Sequence, residues 1–201
     1  MNVVSTQELL DLARRRGAER FVYASSGSVY GLGEGAVAED DPRRADDFYG
    51  VTKRSGELVV GAYREQVGGA VLRFFAPYGP RQVNRLIPGL IARVSNGDAV
   101  TLRGGGRPRM TPIYVDDVVE SIVRALASSE QLVLNVAGDE TVSIRDLGER
   151  IGAIVGRAPV FEDAGGEAPG DLIADNSRLH ELLGSRALVP LDEGLRRTVE
   201  G

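Results

Sequence analysis

The 201-residue chain contains no cysteine and a single histidine, His180. The lack of cysteine excludes disulfides, thiolate catalysis and zinc sites built on sulfur. One histidine argues against a multi-histidine metal site or a Ser-His-Asp triad, so we predict no metal centre. No apolar run approaches the ~20 residues that cross a bilayer, and the formal net charge of −5 gives no support to a nucleic-acid partner. We expect a cytoplasmic, soluble α/β protein without a membrane span.

Lysine is almost as scarce as histidine. Of 24 lysine and arginine side chains, the only lysine is Lys53, four residues after Tyr49. On a helix this spacing places both side chains on one face, one turn apart. An ammonium is a compact point charge on a flexible stem, which a planar guanidinium cannot imitate. We therefore expect the chemistry of the chain at this pair.

The chain alternates between helical patterns and apolar runs. The runs Phe21–Ala24 and Ala70–Phe75 predict strands buried in a parallel sheet, each preceded by a helix. The first helix should end near Gly17 and the second near Gly68. Further along we predict, with Asp116 as the N-cap of the third helix, the following elements: a strand at Ile113–Val115, a helix at Asp117–Ala127, a strand at Leu132–Val136, a capping box at Ser143–Asp146, a loop at Ala164–Gly170 and helices near Asn176–Leu183 and Leu191–Val199.

Both long strands end in polar or glycine-rich sequence. Ser25 and Ser26 follow the first strand, and Ala76-Pro-Tyr-Gly-Pro80 follows the second, with the Tyr49 helix between them. Ligands of parallel α/β sheets bind beyond the carboxyl ends of the strands. We therefore expect a serine hydroxyl, a phenol and an ammonium to meet in one crevice.

Five segments carry a family resemblance: FVYASSGSVYG, YGVTKRSGE, LRFFAPYGPRQ, RPRMTPIYVDDVV and NVAGDETVSIRDL. In this order they resemble the extended short-chain dehydrogenase/reductase family, in its NAD-dependent sugar-nucleotide epimerase/dehydratase branch. YASSGSVYG and LRFFxxYGPRQ are most similar to UDP-glucose and UDP-glucuronate 4-epimerases. The resemblance implies the C-terminal half of a Rossmann-type doubly wound parallel sheet, residues 1–79 and 108–138. A small α/β substrate-binding lobe would comprise residues 80–107 and 139–201.

The resemblance also assigns roles to individual side chains. Tyr49 would exchange a proton with a sugar hydroxyl while hydride moves to or from nicotinamide, and Lys53 would make the phenol more acidic and bind the cofactor ribose. Ser26 would orient the reacting hydroxyl, with Ser25 a weaker candidate. Ala76 occupies a cofactor-binding position where the family has asparagine.

Substrate contacts are implied at Asn84, at Arg109 for the nucleotide diphosphate and at Asp171 near the ribose. Ser28 stands where dehydratases carry a glutamate. Without that carboxylate an elimination lacks its base, which favours epimerisation or simple oxidoreduction. The resemblance implies that the substrate is a nucleotide sugar with a UDP group. Two further positions near the implied substrate site depart from the family. Met110 stands where the family has aspartate, and Ala168 stands where it has arginine.

The family's first strand, glycine-rich turn and pyrophosphate-binding helix have no counterpart in this sequence. The glycine-rich segment Gly31–Gly35 is predicted to be a loop and not a dinucleotide-binding motif, because acidic residues follow it where the motif requires a helix. The residue that would select NAD over NADP is therefore not in the sequence. The strand at Phe21 should be an uncovered edge, and the family would use the helices near 3–16 and 49–67 for a homodimer. Two alternatives to an NAD-dependent 4-epimerase stay open: an NAD(P)-dependent reductase, and a non-catalytic truncated homologue that acts as a binding or dimerisation module.

Overall fold

The computed structural model describes residues 2–201. Within these residues the helices are α1 (Asn2–Arg15), α2 (Phe48–Ala62), α3 (Leu86–Asn96), α4 (Val115–Ala127), α5 (Ile144–Val155), α6 (Ser177–Leu183) and α7 (Leu191–Glu200). The strands are β1 (Arg20–Ser26), β2 (Ala36–Val37), β3 (Gly68–Phe74), β4 (Pro77–Tyr78), β5 (Ala99–Leu102), β6 (Ile113–Tyr114), β7 (Leu132–Val136), β8 (Val160–Asp163) and β9 (Ile173–Ala174). A 3₁₀ turn, Gly27–Tyr30, follows β1.

A parallel sheet of order β1-β3-β7 forms the centre of the molecule. Successive side chains of a strand point to opposite faces. Ala70 and Leu72 pack under α4 and α6, whereas Val71 packs with Leu10 and Val60 of α1 and α2. Because helices cover both faces, the predicted Rossmann-type parallel α/β fold is confirmed. As expected, β1 is an edge strand of this sheet within residues 2–201.

A second apolar core lies among α3, α5, α7 and the parallel pair β5–β8. Leu102, Leu147, Ile151 and Leu195 are buried there almost completely. Tyr78 belongs to this core and packs edge-on against Tyr114, with ring centroids 5.6 Å apart. The division of the chain into a Rossmann part and a substrate lobe at residues 80–107 and 139–201 stays a prediction.

The predicted elements are present, but several boundaries differ. Helix α2 ends at Ala62, before the predicted Gly68, because residues 63–66 form a turn closed by the Val67 amide on the Tyr63 carbonyl. The predicted N-cap Asp116 is wrong: α4 begins at Val115, and Asp116 lies exposed in its first turn. The capping box of Ser143 and Asp146 is confirmed at the start of α5. Among residues 2–201 no helix is both long and apolar enough to span a membrane.

Two glycines of α2 provide a matched test of the packing between this helix and β1. A methyl group at the buried Gly56 would overlap the Tyr23 hydroxyl, whereas one at the exposed Gly61 would meet nothing within 4 Å. We expect Gly56→Ala to lower the free energy of unfolding by ~1–3 kcal/mol through overpacking. Gly61→Ala should raise it by up to ~1 kcal/mol through helix propensity. Urea unfolding followed by circular dichroism checks both, and equal shifts of the two variants would contradict this packing.

Candidate functional site

The carboxyl ends of the three central strands meet at one edge of the sheet, with Ser26, Phe74 and Val136 in register. Ser26 caps the 3₁₀ turn that follows. Its Oγ accepts a hydrogen bond from the Ser28 amide at 3.1 Å and donates to the Ser28 Oγ at 3.2 Å. Gly27 is required in between, because a Cβ there would lie 2.7 Å from the ring of Phe75. Two hydroxyls are thus held side by side at the strand end.

The first turn of α2 is fixed next to this hydroxyl pair. Asp47 caps the helix by accepting a hydrogen bond from the Gly50 amide at 3.0 Å. Gly50 packs closely against Ala45 and the Ser28 carbonyl, where any larger residue would collide. Tyr49 consequently lines the same cleft as Ser26 and keeps half of its surface exposed. The structure therefore brings together the serine and the phenol that the sequence predicts.

Lys53 lies one turn after Tyr49 on α2. Its Nζ is 5.9 Å from the centroid of the Tyr49 ring and 5.3 Å from that of Tyr23, and it donates a hydrogen bond to the Ala24 carbonyl at 2.8 Å. Burial lowers the pKa of this ammonium. An ammonium has three donors, so two remain for a ligand after the bond to Ala24. Lys53 can therefore bind a second polar group while its charge stays beside the phenol.

Ser26, Ser28 and Tyr49 border a cleft of about 540 Å³, whereas Lys53 is not among its lining residues. Its lining includes Ser25, Ser26, Ser28, Leu32, Tyr49, Phe74, Ala76, Pro77, Tyr78, Gln82, Arg85, Leu86, Ile87, Pro108, Met110 and Leu172. Most of these side chains are apolar. Among the lining residues there is no aspartate or glutamate, and Arg85 carries the only full charge. The cleft therefore suits an anion with an apolar or flat part better than a cation.

Arg109 and Asp171, both predicted as substrate contacts, bind each other. The Asp171 carboxylate is fully buried and accepts hydrogen bonds from the backbone N, Nε and Nη2 of Arg109 at 2.7–2.9 Å. Burial would raise the pKa of Asp171, but the Arg109 hydrogen bonds and the nearby Arg107 charge outweigh it and lower the pKa. The structure thus gives Asp171 a role in holding Arg109, whose side chain is 46% exposed.

Two other predicted residues lie in loops with left-handed backbone. Ala76 has φ +41° and lines the cleft, while Asn84 has φ +56°, is exposed and is not among the lining residues. The neighbours of Asn84 line the cleft instead: Gln82 and Arg85, the latter at the N-terminus of α3. Asparagine tolerates the left-handed region better than alanine. The asparagine that the family carries at this position would therefore suit the left-handed backbone at residue 76 better than the alanine present here.

A buried polar row behind the cleft was not predicted from the sequence. Ser25, Arg73 and Asn135 are register partners across β1, β3 and β7, and all three are buried. Glu57 of α2 pairs with Arg73 at 2.8 Å. The sequence signal was an arginine inside the apolar run Ala70–Phe75, since a buried guanidinium requires a carboxylate partner.

Comparison with known proteins assigns the family. Residues 1–137 match the model of the NAD dependent epimerase/dehydratase family. The dTDP-glucose 4,6-dehydratase of Streptomyces griseus is 36% identical over 208 residues, which cover 98% of this chain and 63% of that protein. The UDP-glucose 4-epimerase of Mycolicibacterium smegmatis is 35% identical over 214 residues, with 100% of this chain and 67% of that protein covered.

Solved structures agree with the sequence relatives. The crystal structure of UDP-glucuronic acid 4-epimerase from Bacillus cereus, in complex with UDP-glucuronic acid and NAD, matches with a TM-score of 0.88 at 30% identity. The match covers 99% of this chain and 66% of that chain, so the protein spans about two thirds of the length of the relatives it matches. Since the family model covers well over half of the chain, the chain belongs to the NAD-dependent epimerase/dehydratase family.

Proposed function

We propose that the cleft is the reaction site of an NAD-dependent 4-epimerase of nucleotide sugars, most of all UDP-linked ones. One observation carries this proposal: Ser26 and Tyr49 line a single cleft, and the Lys53 ammonium lies 5.9 Å from the Tyr49 ring. Family membership and the epimerases among the similar proteins support it.

The three side chains divide the work on the sugar. Tyr49, in its phenolate form, takes the proton of the reacting hydroxyl, and Ser26 orients that hydroxyl. The Lys53 charge stabilises the phenolate before the proton is taken up. The keto sugar then turns within the cleft and is reduced on its other face, while Tyr49 returns the proton. Such a cycle needs one proton-transferring group and room for rotation, and the cleft of about 540 Å³ offers both.

NAD fits the residues on one side of the cleft. When bound, it accepts a hydride from the sugar and later returns it. Tyr49, Lys53 and Ala76 would hold its nicotinamide and ribose, since Lys53 has two donors to spare beside the Tyr49 ring and Tyr49 and Ala76 line the cleft. The Gly31–Gly35 segment leads into β2 and not into a helix, so it forms no pyrophosphate cradle. NAD in the similar structures supports NAD rather than NADP.

The lack of a carboxylate in the cleft favours epimerisation over dehydration. Elimination of water needs a base at the sugar, and Ser28 stands at the position where dehydratases of the family carry a glutamate. The Ser28 hydroxyl already accepts a hydrogen bond from Ser26. We therefore propose that this chain does not dehydrate its substrate, although a dehydratase is among its relatives.

The nucleotide diphosphate would bind at the arginine side of the cleft. Arg85 lines it, and Arg109 lies in the chain between two lining residues, Pro108 and Met110, without itself being one of them. Asp171 orients Arg109, whose Nη1 makes no hydrogen bond within residues 2–201. A guanidinium held in this way is suited to phosphate oxygens. Asn84 is proposed only as a contact at the rim, because its side chain is exposed.

A homodimer through α1 and α2 is a further part of the proposal. Both helices expose large apolar side chains, namely Val4, Leu9, Leu12, Phe48, Val51 and Leu58. Phe48 is 86% exposed. Exposed apolar patches of this extent are typical of interaction surfaces.

An assay with three readouts tests the proposed reaction and separates its alternatives. The purified chain is incubated with NAD and either UDP-glucose or UDP-glucuronate, and products are followed by proton NMR. We expect the 4-epimer, no 4-keto-6-deoxy sugar and no net change in reduced nicotinamide. Stoichiometric consumption of reduced cofactor with a keto sugar would instead identify a reductase. No NAD binding by calorimetry at millimolar cofactor would favour the non-catalytic module.

Replacement of the phenol tests the proposed proton transfer. Tyr49→Phe should lower kcat by about 100- to 10,000-fold, the usual contribution of a general acid–base group, while the circular dichroism spectrum and thermal unfolding stay unchanged. Tyr63→Phe is the matched control directly after the same helix, since the Tyr63 hydroxyl donates a hydrogen bond to Asp11 and Tyr63 is not among the residues that line the cleft. Retained activity in Tyr49→Phe would refute the proposed mechanism.

The ammonium is expected to be irreplaceable even by another cation. Lys53→Arg keeps the positive charge. A planar guanidinium, however, cannot take the place of a compact ammonium that lies near the rings of Tyr23 and Tyr49 and donates one hydrogen bond to the Ala24 carbonyl. We expect kcat to fall by about 100-fold, as for a misplaced reacting group. Steady-state kinetics measures the loss. Activity within a factor of a few of the original chain would show that a positive charge alone suffices.

A further inference from the structure

The buried polar row behind the cleft contains an ion pair with an unusual number of partners. Both oxygens of the Glu57 carboxylate are used: Oε1 accepts from Ser25 Oγ at 2.6 Å and from Arg73 Nε at 2.9 Å. Oε2 accepts from Nη2 of Arg73 and Nη1 of Arg54, both at 2.8 Å. Four donors saturate the acceptor sites of a carboxylate. Ser25, Glu57 and Arg73 are 4%, 8% and 3% exposed, so the three bonds among these residues lie away from water.

The same ion pair holds the reactive strand end at two points. Ser25, directly before Ser26, donates to Glu57. Tyr30, at the end of the 3₁₀ turn, accepts a hydrogen bond from Arg73 at 2.5 Å and donates to Asn135 at 2.8 Å. The segment that carries Ser26 and Ser28 is therefore tied down on either side by side chains bound to one carboxylate–guanidinium pair.

Glu57 also belongs to the helix that carries the phenol. Tyr49, Lys53 and Glu57 are spaced four residues apart on α2, which places them along one face of the helix. Eight residues of helix span about 12 Å. Glu57 thus fastens this face of α2 to the row of strand residues, two turns from the phenol.

Burial alone would raise the pKa of Glu57, but the hydrogen bonds from Arg73 and Ser25 outweigh it and lower the pKa. The carboxylate is therefore ionised over the whole physiological range and binds its donors as a charged acceptor. Hydrogen bonds to a charged acceptor are shorter and stronger than those between neutral groups. The four bonds to Glu57 thus connect α2 directly to Ser25 of β1 and to Arg73 of β3.

We propose that Glu57, Arg73 and Ser25 are positioning residues, which set the Ser26 hydroxyl against the Tyr49 phenol by fastening strand end β1 and helix α2 to one buried ion pair. The proposal rests on the proposed function for its kinetic consequence. Its structural part concerns the chain without any ligand and can be tested separately.

Two variants that each remove one donor from the same carboxylate provide the test. Ser25→Ala deletes the buried link to the strand end and leaves the pair with Arg73 intact. Arg54→Met deletes the donor whose side chain is 31% exposed and which has no contact with the strand end. Both variants lose one hydrogen bond to Glu57, so a purely structural role predicts similar effects. Positioning predicts different ones.

The first measurement is amide hydrogen exchange by NMR on the ligand-free chain. The Ser28 amide is protected by its bond to Ser26 Oγ, so loosening of the strand end should expose it. We expect Ser25→Ala to accelerate its exchange about tenfold, as for the loss of one hydrogen bond, and Arg54→Met to leave it within twofold. Unchanged exchange in Ser25→Ala, or equal acceleration in both variants, would overturn the proposal.

The second measurement is the split between kcat and KM in the epimerase assay. Ser25→Ala should lower kcat about tenfold through misplacement of the reacting groups, with KM for the nucleotide sugar within twofold, and Arg54→Met should change neither. An equal loss of kcat in both variants would refute positioning. If the original chain shows no epimerase activity, the proposed function fails, and the exchange measurement still decides the structural part of the inference.

Discussion

The buried ion pair between Glu57 and Arg73 constrains the architecture around the cleft. A carboxylate and a guanidinium taken out of water are tolerated only with good geometry and nearly complete hydrogen bonding. Here that requirement is met by a strand residue, Ser25, and by the second cation Arg54. Helix α2, strand β1 and strand β3 must therefore keep one relative arrangement. A small displacement of any of them would leave a buried charge without a partner.

The buried charges and the residues at the strand ends consequently lie in two successive rows of the sheet. The ion pair and Asn135 lie in the row one residue before the strand ends, whereas Ser26, Phe74 and Val136 form the row at the ends themselves. Structural charge is thus kept out of the cleft, and the cleft is left mainly apolar. The Ser26 and Ser28 hydroxyls and the Tyr49 phenol therefore share the cleft with no carboxylate among its lining residues.

The sequence predicted the strands, the Tyr49–Lys53 pair and the capping box because each depends on local spacing. It predicted Ser26 near this pair because ligands of parallel α/β sheets bind at the carboxyl ends of the strands. It did not reveal the ion pair, since Glu57 and Arg73 lie 16 residues apart on different elements and Arg73 is hidden in an apolar run. Likewise, the pairing of Arg109 with Asp171 spans 62 residues and needs the tertiary fold. Helix α2 ended early for a local reason, a backbone turn at Tyr63, that helical periodicity does not encode.

Two tyrosines, Tyr49 and Tyr78, line the cleft, and their surroundings make them differ in how readily they can exchange a proton. Tyr78 is 2% exposed and donates its hydroxyl to the Leu191 carbonyl. Burial raises its pKa, and the Asp117 charge raises it further, so its proton is held firmly. Tyr49 is half exposed and faces an ammonium instead of a carboxylate. Under the proposed function Tyr49 is therefore the phenol that exchanges the proton, since the Tyr78 hydroxyl is bonded to Leu191 and no aspartate or glutamate lines the cleft within residues 2–201.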